Sequence, residues 1–481
     1  MQTANHLIDG VWADSVNKES LVEIRNPSTS EVAALCANGS AQDAAGAVAA
    51  ARRAFEQTPW RHSAKLRADV LLAFAARLDE RKEQLADWLV TLNGKLRREA
   101  LGEIGMGISE VRYYAGLARN QFGRTLEVEP GCYSSIDREA AGVAAIILPW
   151  NAPVSLLLRS LAPALAAGCS AVIKPAHQTA LVSNMVLECL VCDDRVPAGI
   201  VNSVVETGAD VSRFLCDSPD VDVISYTGST EVGKKIAAST ATTLKRLSLE
   251  LGGKAPAIVF ADCAIESTVA GIVAGAMVMA GQQCTAASRV LVEDSIYDDV
   301  SERLVAALKN LRVGLGTDPS SQMGCLIDLR SRDRIAALVE RAEKSEKLVL
   351  RGSIPGGELA RGAFITPSLV AVEALDSPFI QQELFGPLLV IERFSDEKNA
   401  IMRANATRYG LASSIWTRDA LKAKRISSQL RFGSVWLNSH NRLFPEVETG
   451  GFRDSGYGRL HGLEGLNDFL QTKHFYFETR A

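Results

Sequence analysis

The chain has 481 residues, 47% of them hydrophobic and 22% charged, with a net charge of −4. That length implies two or three domains with large buried interiors. The slight negative charge and ordinary hydrophobic fraction exclude a disordered chain and leave no basic footprint for nucleic acid. The N-terminal "MQTANHLIDGVWADS" lacks a basic stretch followed by an apolar one, and no run reaches the roughly 18 apolar residues of a spanning helix. A cytoplasmic protein with no membrane partner is therefore expected.

Between residues 40 and 120, segments such as "AQDAAGAVAAARRAFEQ" and "KLRADVLLAFAARLDERKEQLADWLV" carry the spacing of amphipathic helices. From about 140 the chain changes to short apolar runs separated by helices: "GVAAIILPW", "SAVIKPA", "GIVNSVVE" and "DVISYTGS". Such alternation predicts an α/β fold with a parallel sheet covered on both faces, whose ligands lie beyond the carboxyl ends of the strands. The segments to read there are "LPWNAP", "KPAHQT" and "YTGSTEVG". A second alternation from "PAIVFAD" to "GSVWLN" at 433–438 predicts a second α/β domain. The β-prone "GRTLEVEPGCYSSIDREA" and the tail "TKHFYFETRA" are too isolated to build a sheet alone. Paired with each other and with another subunit, they would form an oligomerisation arm.

Nine scattered cysteines without framework spacing read as reduced thiols. Cys189 and Cys192 form a CxxC, compatible by itself with redox chemistry or half a zinc site. No second pair or nearby histidine completes four ligands, and "SNMVLECLVC" reads as an apolar helix, so two buried structural thiols are expected, and no metal.

Cys284, in "MAGQQCTAASR", acts as a nucleophile only if its thiolate is favoured; read alone, it suits a core cysteine better. Glu250, in "LSLELGGKAP", is a carboxylate on an apolar strand, where desolvation would raise it toward the range of a general base or leave it a satisfied strand-end group. Asn151, between Pro149 and Pro153, is either a rigid oxyanion donor or, more simply, a turn residue capping the next helix. "GSTEVG" at 228–233 suits a phosphate at a helix start, a weak signal in isolation.

In this order and spacing, "PWNAP", "KPA", "GSTEVG" with "LELGGK", "GQQC" and "QQELFGPLL" resemble the aldehyde dehydrogenase superfamily. The resemblance covers nearly the whole chain, from "EIRNPSTSEVAA" to "GGFRDSGYGRLHGLEGL". It implies a Rossmann-like cofactor domain from 1–121 and 141–251, a catalytic domain at 252–440, and an arm from 122–140 and 465–481. It makes Cys284 the nucleophile toward an aldehyde, Asn151 the oxyanion donor, and Glu250 the base that hydrolyses a thioester. NAD or NADP would be held by Pro149, Trp150, Lys174, Gly208, Gly228, Ser229, Gly233, Leu251, Glu383 and Phe385. The glutamate at 250 favours hydrolysis over transfer to coenzyme A, and retention of nucleophile and base opposes a non-catalytic role. A homodimer or homotetramer is expected.

The chain departs from the family at places that touch specificity. Along the implied substrate tunnel, lined also by Ser155, Gln283 and Thr285, the residues Ala152, Arg159, Leu443 and Thr449 stand where aromatic residues are common. That favours a bulky aromatic or polar-tailed aldehyde over acetaldehyde. Arg159 would pair with the carboxylate of a semialdehyde or, more simply, lie on the outer face of its helix. His177 stands where a glutamate often repels a 2′-phosphate, so NADP is expected to be accepted and even preferred, with a protonated imidazole as donor. Glu206 replaces a glycine of a GxG pattern, leaving Gly208, with no role evident from sequence.

Overall fold

The computed structural model describes residues 1–16 and 21–479. Residues 17–20, in the expected first domain, and 480–481, in the expected arm, lie outside the described residues.

Five parallel strands form the heart of the first sheet: Val143–Ile147, Ser170–Lys174, Val201–Ser203, Val223–Thr227 and Arg246–Glu250. In space Val143–Ile147 lies in the middle, the next two strands follow on one side and the last two on the other. Strand order thus reverses between Val143–Ile147 and Val223–Thr227, which opens a ligand crevice at their carboxyl ends. Every residue of those two strands is buried, the reason both read as unbroken apolar runs. Pairing of Ile147 with Lys174 and of Thr227 with Glu250 brings the ends level. Antiparallel edge strands close the sheet, His6–Ile8 and Val11–Ala13 on one side and Gly456–Tyr457 on the other. The last of these returns from beyond the second sheet.

Helix Pro153–Ala167 begins with proline in its first turn and stops at Gly168, whose φ of 102° only glycine adopts without strain. All its residues except Ser155 are buried. Helix Arg97–Leu117 lies against it, and Gly107 makes the approach possible, since a Cβ there would stand 2.5 Å from Leu158. In helix Ala180–Val191, Cys189 is buried as expected but Cys192 is exposed, because it sits past the last helical turn and not on the packed face.

The second sheet holds Ser368–Ala371, Leu388–Phe394, Ala287–Glu293, Ala255–Val259, Ala412–Trp416 and Ser434–Leu437 in parallel, with Lys347–Leu350 antiparallel at one edge. Leu470–Glu478 pairs along its whole length with Cys132–Ala140, which in turn pairs with Arg124–Glu129. Phe475, Tyr476 and Phe477 of this ribbon stand exposed. A further small sheet, unexpected from sequence, joins Thr3–Ala4, Val32–Ala37 and Leu21–Arg25. Among the described residues, no helix is long and apolar enough to cross a membrane.

Candidate active site

Cys284 is reached through a strained backbone. After helix Ile265–Met277, Met279, Ala280 and Gly281 take φ values of 48°, 55° and 74° in succession. Two non-glycine residues in the left-handed region each cost on the order of 1–3 kcal/mol and persist only where surroundings enforce them. Here Glu99 accepts the Met279 N–H at 2.8 Å, while Gln282 donates to the Met279 carbonyl at 3.0 Å and accepts from the Ile327 N–H at 3.0 Å. Gly281 must be glycine for space as well, since a Cβ would stand 2.4 Å from the Gly386 carbonyl oxygen. The chain beyond Glu250 passes equally close, because a Cβ on Gly253 would lie 2.4 Å from the Cys284 carbonyl oxygen. Cys284 keeps partial exposure and shares a cavity wall with Gln283, Gly253, Glu383 and Phe385.

The charges around the sulfur oppose one another. Desolvation pushes the Cys284 thiol up to about 11, and Glu250 and Glu383 add to that, while Arg159 and the Thr285 N–H pull it down. Desolvation likewise raises the Glu250 carboxyl to about 7, against the pull of Arg159 and Arg459. Among the described residues, one Glu250 oxygen is buried without a hydrogen-bond partner. Arg159 lies 8% exposed, donates to the Thr227 hydroxyl at 3.3 Å and leaves its Nε unpartnered. The outer-face reading of Arg159 is therefore overturned. Its helix is buried all round, and the guanidinium points in toward both reactive groups.

Asn151 does not cap the following helix. Its amide donates to the Gln282 carbonyl at 2.9 Å, two residues before the cysteine, and Ala152 holds the cap position. The helix start is served by Glu103, which accepts from the Val154 N–H at 2.7 Å. Lys95, paired with Glu103 and buried, donates to the Asn151 carbonyl at 3.0 Å, and Asn93 donates to the Trp150 carbonyl at 2.7 Å.

Farther along the crevice, the Leu148 N–H bonds the Lys174 carbonyl at 3.0 Å, tying "LPW" to "KPA". Ser229 caps helix Thr230–Thr240, and Gly233 packs on Leu251, where a Cβ would meet the leucine at 2.5 Å. Trp150 and Phe385 meet edge to face with ring centres 5.6 Å apart. His177 is held below its ordinary value by burial and by Lys174, so its neutral form prevails near pH 7. Glu206 lies opposite Ala176 in a parallel bridge and accepts from the Val211 and Ser212 N–H groups, each at 2.9 Å, and from the Ser212 hydroxyl at 2.6 Å. It closes the start of helix Asp210–Asp217, and its charge lies near Lys174. Gly208 faces open space. A cation, an exposed helix start and a carboxylate spaced along one crevice make a donor set that suits a dinucleotide.

The aldehyde dehydrogenase family matches residues 12–475. The chain belongs to the aldehyde dehydrogenase family. It is 38% identical to betaine aldehyde dehydrogenase of Bacillus subtilis (strain 168), over 98% of this chain and 97% of that one. It is 36% identical to 3-sulfolactaldehyde dehydrogenase of Pseudomonas putida, over 97% of this chain and 95% of that one. The crystal structure of betaine aldehyde dehydrogenase from Staphylococcus aureus in complex with NAD+ superimposes with a TM-score of 0.96 at 34% identity, covering 99% of this chain and 95% of that one.

Within this aldehyde dehydrogenase fold, the segments singled out in sequence meet in one place: Cys284 with Gln283 and Thr285, Glu250 with Leu251, Asn151 with Trp150, and Glu383 with Phe385. Leu443 and Thr449 lie on the segment after Ser434–Leu437, where Thr449 exchanges backbone hydrogen bonds with Leu460 at 2.8 and 2.9 Å. Sequence reasoning missed Asn93, Lys95, Glu99 and Glu103, which reach the site from two helices far upstream and the turn between them. For three of them the signal was a lysine followed by two acids in "GKLRREALGE", at the start of a helix; Asn93 had none.

Proposed function

We propose that this chain oxidises an aldehyde to its carboxylic acid through a thioester on Cys284. The observation carrying this reading is the meeting of Cys284, Glu250 and Asn151 at one point, although they come from three elements. Glu250, with a carboxyl at about 7, is divided between its two forms at neutral pH and takes the thiol proton. The sulfur bonds to the carbonyl carbon and the oxygen becomes an oxyanion. Asn151 has one amide hydrogen on Gln282 and a second left for that oxygen, beside the Cys284 N–H. A bound nicotinamide supplies the hydride acceptor. Glu250, having passed the thiol proton to solvent, takes a proton from the water that attacks the thioester carbon; the C–S bond breaks, the sulfur leaves as thiolate and the acid departs.

For the dinucleotide, Lys174 would serve the adenosine ribose, Ser229 the phosphates and Glu383 the nicotinamide ribose. With histidine rather than a carboxylate at 177, NADP is admitted alongside NAD; a neutral imidazole is an acceptor or single donor there, and Glu206 keeps a negative charge beside Lys174. The aldehyde tail is polar, and an anionic tail suits the site best, because Arg159 offers an unpartnered, buried N–H beside the reacting groups. A bulky aromatic aldehyde is the second reading, favoured by the small Ala152. The exposed aromatic face of the Cys132–Ala140 and Leu470–Glu478 ribbon is read as the seat of a second copy, in a dimer or tetramer.

The deciding experiment is Cys284→Ser, assayed on a panel of aliphatic, aromatic and carboxylated aldehydes. Turnover should fall by more than about a thousandfold on all of them. A variant that oxidised any of them at the wild-type rate would remove the cysteine from the mechanism.

A further inference from the structure

Thr285, next to the nucleophile, has a backbone carbonyl that is held by a side chain from the far end of the second sheet. His440, just past strand Ser434–Leu437, places Nε2 2.7 Å from that oxygen. Its Nδ1 lies 3.0 Å from the Ser414 hydroxyl, on strand Ala412–Trp416. The Ser414 oxygen in turn accepts from the Trp416 indole N–H at 3.0 Å. A carbonyl oxygen can only accept, so Nε2 must carry the hydrogen and Nδ1 must accept from Ser414. Every donor in this chain points the same way, from Trp416 through Ser414 and His440 to Thr285. The ring itself is seated against helix Ile265–Met277 at Gly275, where a Cβ would come within 3.0 Å of it.

We infer that His440 is a positioning residue for Cys284: its Nε2–H, fixed in one tautomer by Ser414, anchors the backbone immediately after the sulfur. Two further observations fit. Burial holds the imidazole near 4, so it is neutral and single-hydrogen-bearing at working pH. The Thr285 N–H is among the groups that favour the thiolate, and its aim depends on where the residue's carbonyl is tied. The inference rests on Cys284 being the nucleophile.

The test measures, in the full-length protein, the pH dependence of Cys284 alkylation by iodoacetamide, followed at the Cys284 peptide, together with kcat and KM. His440→Leu should raise the alkylation midpoint and lower kcat about tenfold with KM little changed, while His440→Gln, which keeps an N–H within reach, should recover most of both. Equal impairment of the two variants would mean that only ring packing matters and would overturn the inference, as would a wild-type alkylation profile in His440→Leu. If His440→Leu does not fold, His440→Phe decides: it keeps a ring in the same seat without any N–H, and an unchanged profile overturns the inference. Failure of the underlying mechanism looks different, since Cys284→Ser would then still turn over, whatever His440 does.

Discussion

Glu250 and Glu383 stand on opposite sides of the glycine pair 252–253 and share one perturbation. Each is buried enough for desolvation to raise its carboxyl to about 7. Their partners differ. Glu383 accepts the Gly253 N–H at 3.0 Å and comes so near Gly252 that a Cβ there would meet its oxygen at 2.5 Å, so it is pinned. Glu250, which the Gly451 N–H also favours as a carboxylate, keeps one buried oxygen with no partner among the described residues, while cations lie in the field of both groups. An unsatisfied buried acceptor costs about 1–3 kcal/mol, which a fold tolerates where the atom has work to do on a substrate or water. In the proposed mechanism equal desolvation therefore serves two ends: a pinned carboxylate that holds a ligand, and one with an open oxygen that moves protons.

Paired substitutions break or sharpen that contrast most strongly. Glu250→Gln should lower kcat by roughly a thousandfold, and because the same carboxylate takes the thiol proton no burst of reduced nicotinamide should precede the slow turnover; Glu383→Gln should cost about tenfold. On stability the two should agree. A carboxyl raised from about 4.5 to about 7 in the folded state contributes stability that is complete below 4.5 and lost as pH rises through 7. Both glutamine variants should thus melt above wild type at pH 8, with the gain vanishing toward pH 4.5. A wild-type melting temperature at pH 8 would show that neither charge is desolvated.

Glu250 was legible in the sequence because it closes an apolar strand, whereas Glu383 was reached only through the family resemblance of "QQELFGPLL". The first sheet was legible for the same reason: strands buried on both faces, such as Val143–Ile147, read as continuous apolar runs. What was not legible came from a distance or from shape. The left-handed run Met279 to Gly281 has no local signature beyond one glycine, and it is enforced by Glu99, some 180 positions upstream. Arg159 was misjudged as an outer-face residue although its helix is apolar all round, a pattern that already implies burial on every side.

Arg159 tunes the free carboxylate and the thiol together, so removing it should move both the same way. In Arg159→Leu the loss of a nearby cation raises Glu250 above 7 and Cys284 above 11. In the proposed mechanism Glu250 works as a base when deprotonated, so the rise of kcat with pH should shift to the alkaline side. Activity at pH 7 should drop about tenfold on neutral aldehydes and largely return by pH 9. Carboxylated aldehydes should lose more, through KM, and that extra loss should not return at high pH. A pH profile superimposable on wild type would detach Arg159 from Glu250.

Glu206 completes the series from unsatisfied to satisfied carboxylates and inverts the sign of the stability effect. Its two oxygens take three donors at the start of helix Asp210–Asp217, where negative charge is also favoured by the helix dipole. Glutamine keeps the shape but loses the charge and presents an N–H to one of those donors. Glu206→Gln should therefore destabilise the protein by about 1 kcal/mol at pH 8, where Glu250→Gln stabilises it. The same substitution removes the negative charge beside Lys174, which leaves that lysine free to attract a 2′-phosphate. Binding of 2′,5′-ADP relative to 5′-AMP, measured by calorimetry, should improve a few-fold. Improved binding without destabilisation would separate the two roles, whereas destabilisation with an unchanged ratio would leave Glu206 a helix cap and return the choice of dinucleotide to His177.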